Sequence, residues 1–289
     1  MFALSYSNRA ASALELKDYQ ACLRDANVAI TIDPKLAPAY SNRGLAKTGL
    51  KDYAGAMSNY DKAIEIDPKF SRAYYNRGIT EAATRNHAAA IKDYDKATEL
   101  EPDYAPAYNN RGVTKLESKD YEGAKMDYTR ALKIDPNYAK AYFNRGIAND
   151  RLGEFKQAIA DYSKAADLHP TDIDCYLNRG VSKARQQHPD YKGAIADFNK
   201  AIEINPNVPF GYNNRGFTKL NLKDFNGAVE DFTKAIEVDP NFRSAYTNRG
   251  EARIELKQFD EACDDFTKAS ELGDTAAAEL AQKHCRSKP

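Results

Sequence analysis

The chain has 289 residues, and its 42 lysines and arginines balance 42 aspartates and glutamates, so the net formal charge is zero. Because it has no long run of one charge and no apolar stretch of bilayer length, the sequence argues against a nucleic-acid partner and against membrane insertion. The chain has nineteen tyrosines, twelve phenylalanines and no tryptophan. Valine and isoleucine are few for a sheet protein, so the composition favours helices.

The tripeptide Asn-Arg-Gly recurs from the first part of the chain to the last. Its glycine returns every 34 residues, with one interval of 36, at Gly44, Gly78, Gly112, Gly146, Gly180, Gly216 and Gly250, and Ala10 takes this place in the first copy. Prolines such as Pro68 and Pro102 keep the same period and mark helix boundaries. The period predicts one array over residues 1–289, with repeats 3–36, 37–70, 71–104, 105–138, 139–172, 173–208, 209–242 and 243–273.

Each repeat carries the pattern of two short amphipathic helices. In repeat 105–138, apolar and small residues recur at steps of three or four on both sides of a polar break, Glu117 to Asp120, which predicts a helix, a turn and an antiparallel helix. Gly112 on the first helix and Ala124 on the second allow the two backbones to approach closely. One such hairpin cannot bury its own apolar faces, so neighbouring hairpins must stack into an all-α solenoid.

A 34-residue helical hairpin with an aromatic start, small residues at the crossing and a closing proline resembles the tetratricopeptide repeat. The resemblance covers residues 3 to about 276. It implies a right-handed superhelical solenoid of antiparallel helix pairs. It implies little about activity, because such repeats serve many unrelated partners.

The arginine of the tripeptide is predicted to pair with an aspartate of the same hairpin. Arg111 lies eight residues before the turn centre near residue 119 and Asp127 eight residues after it, so both stand at the same height; Arg145 and Asp161 have the same relation. An alternative function for these arginines is a row that binds anions. The ion pair is favoured, because a paired guanidinium has its hydrogen-bonding fork occupied.

The asparagine of the tripeptide points about 100° away from the arginine around the helix. In the family that the chain resembles, first helices line the concave surface, which implies a ladder of amides there that would suit an extended peptide backbone. Alternatively, these amides bond water or a neighbouring repeat. The ladder consists of Asn8, Asn42, Asn76, Asn110, Asn144, Asn178, Asn214 and Asn248.

Helical spacing adds large side chains to the same face, which we expect to include an aromatic floor and charged rims. These residues are Arg72, Tyr75, Lys140, Phe143, Phe210 and Phe217. Tyr75, Phe143, Phe210 and Phe217 are expected to be the most exposed of the apolar set. Repeats that clamp the carboxylate tail of chaperones have a basic residue where this chain has asparagine, so chaperone-tail binding is not expected.

The C-terminal part departs from the pattern. The sixth copy has two extra residues in its turn, between Arg185 and Asp190, and residues 274–289 are predicted to form a capping helix. Four scattered cysteines exclude a disulfide scaffold, but Cys263 falls within reach of Cys285, so a disulfide and two free thiols are both open. We expect a cytoplasmic protein by default, and a periplasmic or secreted one if this bridge forms and a signal peptide has been removed.

The sequence has no catalytic or metal-binding constellation, so we expect neither an enzyme nor a cofactor. The predicted function is a scaffold that binds an extended peptide or partner segment in its concave groove. Two alternatives stay open: self-association of the solenoid, and the binding arm of an enzyme whose catalytic domain lies elsewhere.

Overall fold

A computed structural model describes residues 2–285, which form seventeen helices and no strand, so the all-helical class is confirmed. The first helices of the repeats are α1 (Phe2–Glu15), α3 (Ala37–Gly49), α5 (Ser71–Ala83), α7 (Ala105–Glu117), α9 (Ala139–Arg151), α11 (Ile173–Arg185), α13 (Pro209–Asn221) and α15 (Arg243–Glu255). The second helices are α2 (Tyr19–Ile32), α4 (Tyr53–Ile66), α6 (His87–Leu100), α8 (Tyr121–Ile134), α10 (Phe155–Leu168), α12 (Tyr191–Ile204), α14 (Phe225–Val238) and α16 (Phe259–Glu271), and α17 (Thr275–His284) follows them.

The chain divides into two compact units between Ala148 and Asn149, a point within α9. In each unit a first helix packs against the second helix that follows it, and that second helix packs against the next first helix. α17 packs against α16 at the C-terminal side of the second unit. None of the helices within residues 2–285 has the length and apolar character needed to cross a bilayer.

The turns inside the hairpins depend on two local features. Five second helices start after an aspartate whose carboxylate accepts a hydrogen bond from the backbone N–H three residues later, as Asp120 does from Gly123 at 3.0 Å. Such a cap satisfies one of the free N–H groups of the first turn. The residue before the N-cap has a left-handed backbone in several turns, with φ of 66° at Lys119, before Asp120, and 78° at Gly153, before Glu154. This conformation ends the first helix and reverses the chain.

The crossing of the two helices in a hairpin is a contact between glycine and an aromatic ring. A Cβ atom added to Gly112 would lie 2.7 Å from Cε1 of Tyr128, a ring that is fully buried. The first hairpin has the complementary pair instead: Ala10 replaces the glycine and Ala26 replaces the ring, and both are fully buried. The aromatic side chain therefore determines where glycine is needed.

Neighbouring repeats meet through alanine-rich layers. Ala131 of α8 is fully buried in a cluster with Ala105, Leu132 and Ala141. Small side chains at this level let a second helix approach the next first helix closely, which leaves little space for a larger residue.

The two extra residues of the sixth repeat lengthen only its turn. α11 ends at Arg185, Asp190 caps α12, and the Arg179 Nη2 to Asp197 Oδ1 distance is 2.6 Å. The insertion therefore leaves the register of the two helices unchanged.

Replacing Gly112 by Ala tests the glycine–ring contact. Alanine favours helix by roughly 0.5–1 kcal/mol over glycine, but overlap with the buried Tyr128 ring costs roughly 1–3 kcal/mol, so we expect a net loss of stability. In a Tyr128→Ala background the same change should be neutral or stabilising, since it recreates the Ala10 and Ala26 combination. Urea unfolding followed by circular dichroism measures both steps, and an equal loss in the two backgrounds would refute the contact.

Candidate functional site

Arginines of the repeated tripeptide connect two hairpins, as Arg111 does. Nε of Arg111 donates to Asp127 at 2.9 Å within its own hairpin, and Nη1 donates to Asp95 of the preceding second helix at 2.7 Å. The guanidinium also lies over the ring of Tyr108, 5.3 Å from the centroid. Asp127 is almost fully buried and forms a second ion pair with Lys115, whose Nζ lies 2.8 Å from Asp127 Oδ2. We refer to this group of contacts as the arginine strut.

The strut recurs with small changes through both units. Arginine contacts an aspartate of its own hairpin in the pairs Arg9–Asp25, Arg77–Asp93, Arg179–Asp197, Arg215–Asp231 and Arg249–Asp265, and an asparagine in Arg43–Asn59. It contacts the preceding second helix in the pairs Arg43–Asn27, Arg77–Asp61, Arg145–Thr129, Arg179–Ser163, Arg215–Asn199 and Arg249–Thr233. Arg145 and Asp161 lie on opposite sides of the division between the units, and their pairing stays a prediction.

The strut leaves little capacity for an external anion. The hydrogen bonds that Arg77 donates to Asp93, together with the charge of that carboxylate, raise the pKa of the Arg77 guanidinium despite partial burial. A guanidinium whose donors already contact two carboxylates and whose face covers a tyrosine ring has no fork free for a ligand. These contacts favour the structural interpretation of the arginines over the anion-binding row.

Most of the ladder asparagines bond the preceding first helix. Asn76 Nδ2 donates to Ser41 Oγ at 3.1 Å, and Asn144 Nδ2 donates to Asn109 Oδ1 at 3.1 Å. The acceptor always lies 35 residues earlier, one residue before the asparagine of the preceding repeat. The other members of this set are Asn42 with Ser7, Asn110 with Tyr75, and Asn248 with Asn213.

These bonds agree with the alternative that the amides bond a neighbouring repeat, because one donor of each of these five amides is engaged there, and peptide binding by the ladder stays a prediction. Among the ladder asparagines of the second to eighth repeats, Asn178 and Asn214 are the exceptions. Asn178 donates to its own helix, at the Asp174 carbonyl oxygen at 2.8 Å. Because of the two extra residues in the sixth repeat, the residue equivalent to the acceptor lies 37 positions before Asn214; it is Leu177, which offers no side-chain acceptor, and Asn214 instead accepts a bond from Asn213 at 3.4 Å.

The predicted aromatic floor is only partly available at the surface. Tyr75 is partly buried, because its ring packs against Tyr94 and Tyr104, with centroids 6.0 and 4.9 Å away. The Arg72 guanidinium carbon lies 4.1 Å from the centroid of the Tyr104 ring, and Nε lies 3.4 Å from Glu101 Oε2. Arg72 is therefore engaged with neighbouring side chains and is not a free charge at the rim of the groove.

The other members of that set lie further along the chain. Phe143 is partly buried and Lys140 is exposed. Phe210 and Phe217 are the most exposed, at 55% and 48% of their surface. Both belong to α13, where their spacing of seven residues puts them on one face with Asn214 between them.

Beside this face lies a pocket of about 530 Å³, which we call the cap pocket, between α13, α15 and α17. Leu220, Ile254 and Leu280 give it apolar walls, and Glu251 is a partly buried carboxylate at its side. Burial raises the pKa of the Glu251 carboxyl, and the charge of Asp274 raises it further.

Glu251 is not among the residues predicted from the sequence, although the sequence holds a signal for it. The equivalent residue of every earlier repeat is apolar, as Val181 and Phe217 are.

The C-terminal helix is fastened by a disulfide. The Sγ atoms of Cys263 and Cys285 are bonded at 2.00 Å, which joins α16 to the end of α17. Cys22 and Cys175 are free and buried, and burial raises the pKa of their thiols to about 11 and about 12. Of the two states left open by the sequence, the structure has the bridged one.

Comparison with known proteins identifies the repeat. One tetratricopeptide-repeat pattern matches residues 37–70, 71–104, 105–138, 139–172 and 209–242, and a second pattern of the same name matches 189–208 and 244–272. Together they cover more than half of the chain. A search of curated proteins found no match.

Solved structures with this fold include several tetratricopeptide-repeat proteins. One from Parabacteroides merdae is 18% identical with a TM-score of 0.64, covering 86% of this chain and 99% of that one. YrrB, described as a TPR protein with an unusual peptide-binding site, is 22% identical with a TM-score of 0.56, covering 64% and 95%. MamA residues 41 to the end, from Desulfovibrio magneticus, is 24% identical with a TM-score of 0.55, covering 59% and 95%. At these identities the likeness concerns the fold.

Separate replacement of Asn144 and Asn178 by Ala compares an amide that bonds the preceding first helix with one that bonds only its own helix. Asn144→Ala leaves the buried Asn109 oxygen without its donor, so we expect a loss of about 1–2 kcal/mol in the free energy of unfolding. Asn178→Ala breaks only an exposed bond within its own helix and should change stability by less than about 0.5 kcal/mol. Both variants gain the same helix propensity, so their difference in urea unfolding isolates the brace; equal effects would contradict it.

Thiol titration at pH 8 tests the cysteine assignment. We expect no rapid reaction of the native, unreduced chain with Ellman's reagent, because Cys22 and Cys175 are buried and their raised pKa keeps them protonated. Denaturant should expose these two thiols, and prior reduction should add the two from the bridge. Four reactive thiols in the denatured but unreduced chain would show that the bridge does not form.

Proposed function

Because the chain belongs to the tetratricopeptide-repeat family, whose repeats form protein-interaction scaffolds, we propose that it binds an extended segment of a partner protein. The proposed site is the exposed face of α13 formed by Phe210, Asn214 and Phe217, which we call the α13 stripe. In this role the chain binds its partner and catalyses no reaction.

The exposed pair of phenylalanines is the observation that carries this proposal. A large ring that stays about half exposed forgoes the stabilisation of burial, and adjacent exposed apolar side chains mark interaction surfaces more often than isolated ones do. Phe210 is held by an edge contact with Phe242, with centroids 4.9 Å apart, so one ring of the stripe is oriented before a partner arrives. A fixed ring loses less side-chain entropy on binding.

The amide between the two rings supports an extended ligand. Asn248 Nδ2 donates to Asn213 Oδ1 at 3.0 Å, and Asn213 Nδ2 donates to Asn214 Oδ1 at 3.4 Å. This chain of bonds orients the Asn214 amide, whose own Nδ2 has no hydrogen-bond acceptor within residues 2–285. A peptide carbonyl placed there would accept this bond while its side chains cover the rings.

The described contacts of the first unit give less support for a site there. Its asparagine donors brace neighbouring helices, and Tyr75 and Arg72 are engaged with neighbouring side chains. YrrB, the structural neighbour described by its peptide-binding site, supports the class of ligand by analogy.

Selection from a random peptide library displayed on phage, with the full chain as target, tests this function. We expect a family of related peptides to be enriched. Their affinity, measured by fluorescence anisotropy, should fall about tenfold or more in Phe217→Ala, because covering a phenylalanine ring contributes roughly 1.5–3 kcal/mol.

Phe259→Ala is the matched control, since Phe259 is 51% exposed in the same unit but begins a second helix. It should leave the affinity unchanged. Circular dichroism should show equal helicity for both variants. Failure to enrich any peptide, or equal losses in Phe217→Ala and Phe259→Ala, would overturn the proposed function.

A further inference from the structure

Glu251 breaks the repeat pattern at the position where the α13 stripe has Phe217. The corresponding residues of the other repeats are Ala11, Leu45, Ile79, Val113, Ile147, Val181 and Phe217. A single carboxylate at an otherwise apolar position of a repeat is not required by the hairpin, since seven copies fold with an apolar residue there. The surroundings of Glu251 indicate what this carboxylate contacts.

The Glu251 side chain is partly buried and has no hydrogen bond or ion pair with any residue from 2 to 285. The charge of Asp274 acts on Glu251, and the Asp274 carboxylate itself caps α17 and accepts a 2.7 Å bond from Thr247. Withdrawing a carboxylate from water without a partner is unfavourable, and a second negative charge increases the cost. A cation beside Glu251 would offset both the cost of desolvation and the repulsion from Asp274.

The basic groups of the pocket lie elsewhere on its lining. Lys223 and Lys283 are exposed, and neither forms an ion pair with Glu251. His284 packs near the Phe266 ring, with centroids 6.5 Å apart. Glu255, the other carboxylate of the pocket, is exposed at the end of α15. The partly buried charge of the pocket is therefore negative, and the positive groups are free to remain in water.

The pocket continues the α13 stripe. Leu220, one of its apolar walls, follows Phe217 by three residues and so lies one turn further along the same face of α13. A segment that covers Phe210 and Phe217 in extended form would bring its next side chains to Leu220, Ile254 and Leu280. The long aliphatic part of lysine or arginine suits such walls, and its charged end reaches past them.

We infer that the cap pocket receives a lysine or arginine side chain of the bound segment, whose cationic group pairs with Glu251 while its aliphatic part contacts Leu220, Ile254 and Leu280. This inference rests on the proposed binding of an extended segment by the α13 stripe. An acidic side chain would meet the charges of Glu251 and Asp274 and is rejected, which makes the pocket a determinant of specificity.

The phage selection is repeated in parallel with wild-type chain, Glu251→Gln and Glu230→Gln as targets. Glu230 is an exposed glutamate of α14 in the same unit and serves as the matched control. We expect lysine or arginine at one fixed position of the peptides enriched by the wild type and by Glu230→Gln. Glu251→Gln should enrich peptides without that preference.

A synthetic peptide of the enriched sequence then gives the magnitude. Replacing its basic residue by norleucine should weaken binding to the wild type about tenfold, with little effect on binding to Glu251→Gln, because the cation has lost its partner there. In the charge-reversed pair, Glu251→Lys should prefer the peptide in which glutamate replaces the basic residue. This exchange detects the contact even if single variants lower stability.

The outcomes separate the two proposals. Enriched peptides that depend on Phe217 but have no basic residue, or that keep it equally with Glu251→Gln, would overturn the cap-pocket inference and leave the α13 stripe in place. Absence of any enrichment would overturn both.

Discussion

The arginine strut is the interaction on which the rest of the structure depends. A hairpin of two short helices has no stability of its own, so the position of each hairpin must be set by its neighbours. Arg111 meets this need by contacting Asp127 in its own hairpin, Asp95 in the preceding one and the ring of Tyr108. The planar guanidinium has five donors in a fixed geometry, so it can contact these three side chains at once; the ammonium group of lysine could not.

The arginine strut and the asparagine bonds to the preceding first helix engage most of the hydrogen-bonding groups in the side chains of the repeated tripeptide. Where the residue before the asparagine of the preceding repeat is serine, tyrosine or asparagine, the amide donates a hydrogen bond to it; where that residue is Leu177, the amide of Asn214 makes no such bond. The repeated residues thus serve the array, and residues that depart from the repeat are available for recognition. This division is the reason why we propose a site in α13 and α15 rather than along the whole ladder.

Much of the fold follows from the sequence because its determinants are local. The period, the two helices of each repeat and the height at which Arg111 meets Asp127 all depend on spacing within one hairpin. The second partner of each arginine and the acceptor of each asparagine depend instead on how far one hairpin rotates against the next, which spacing does not encode. For the same reason the sequence did not reveal that Tyr75 is covered by Tyr104, or that α17 closes a pocket beside Glu251.

Repetition also explains how the chain tolerates a partly buried carboxylate without a partner. In a stack of repeats the free energy is close to a sum over hairpins and their interfaces, so the cost of Glu251 stays within one interface. The strut of that hairpin is intact, with Arg249 Nη2 2.7 Å from Asp265, and the disulfide joins the pocket's outer helix to α16. The scaffold around Glu251 is therefore held by contacts that do not involve it. Such a residue can change with the ligand while the fold stays the same.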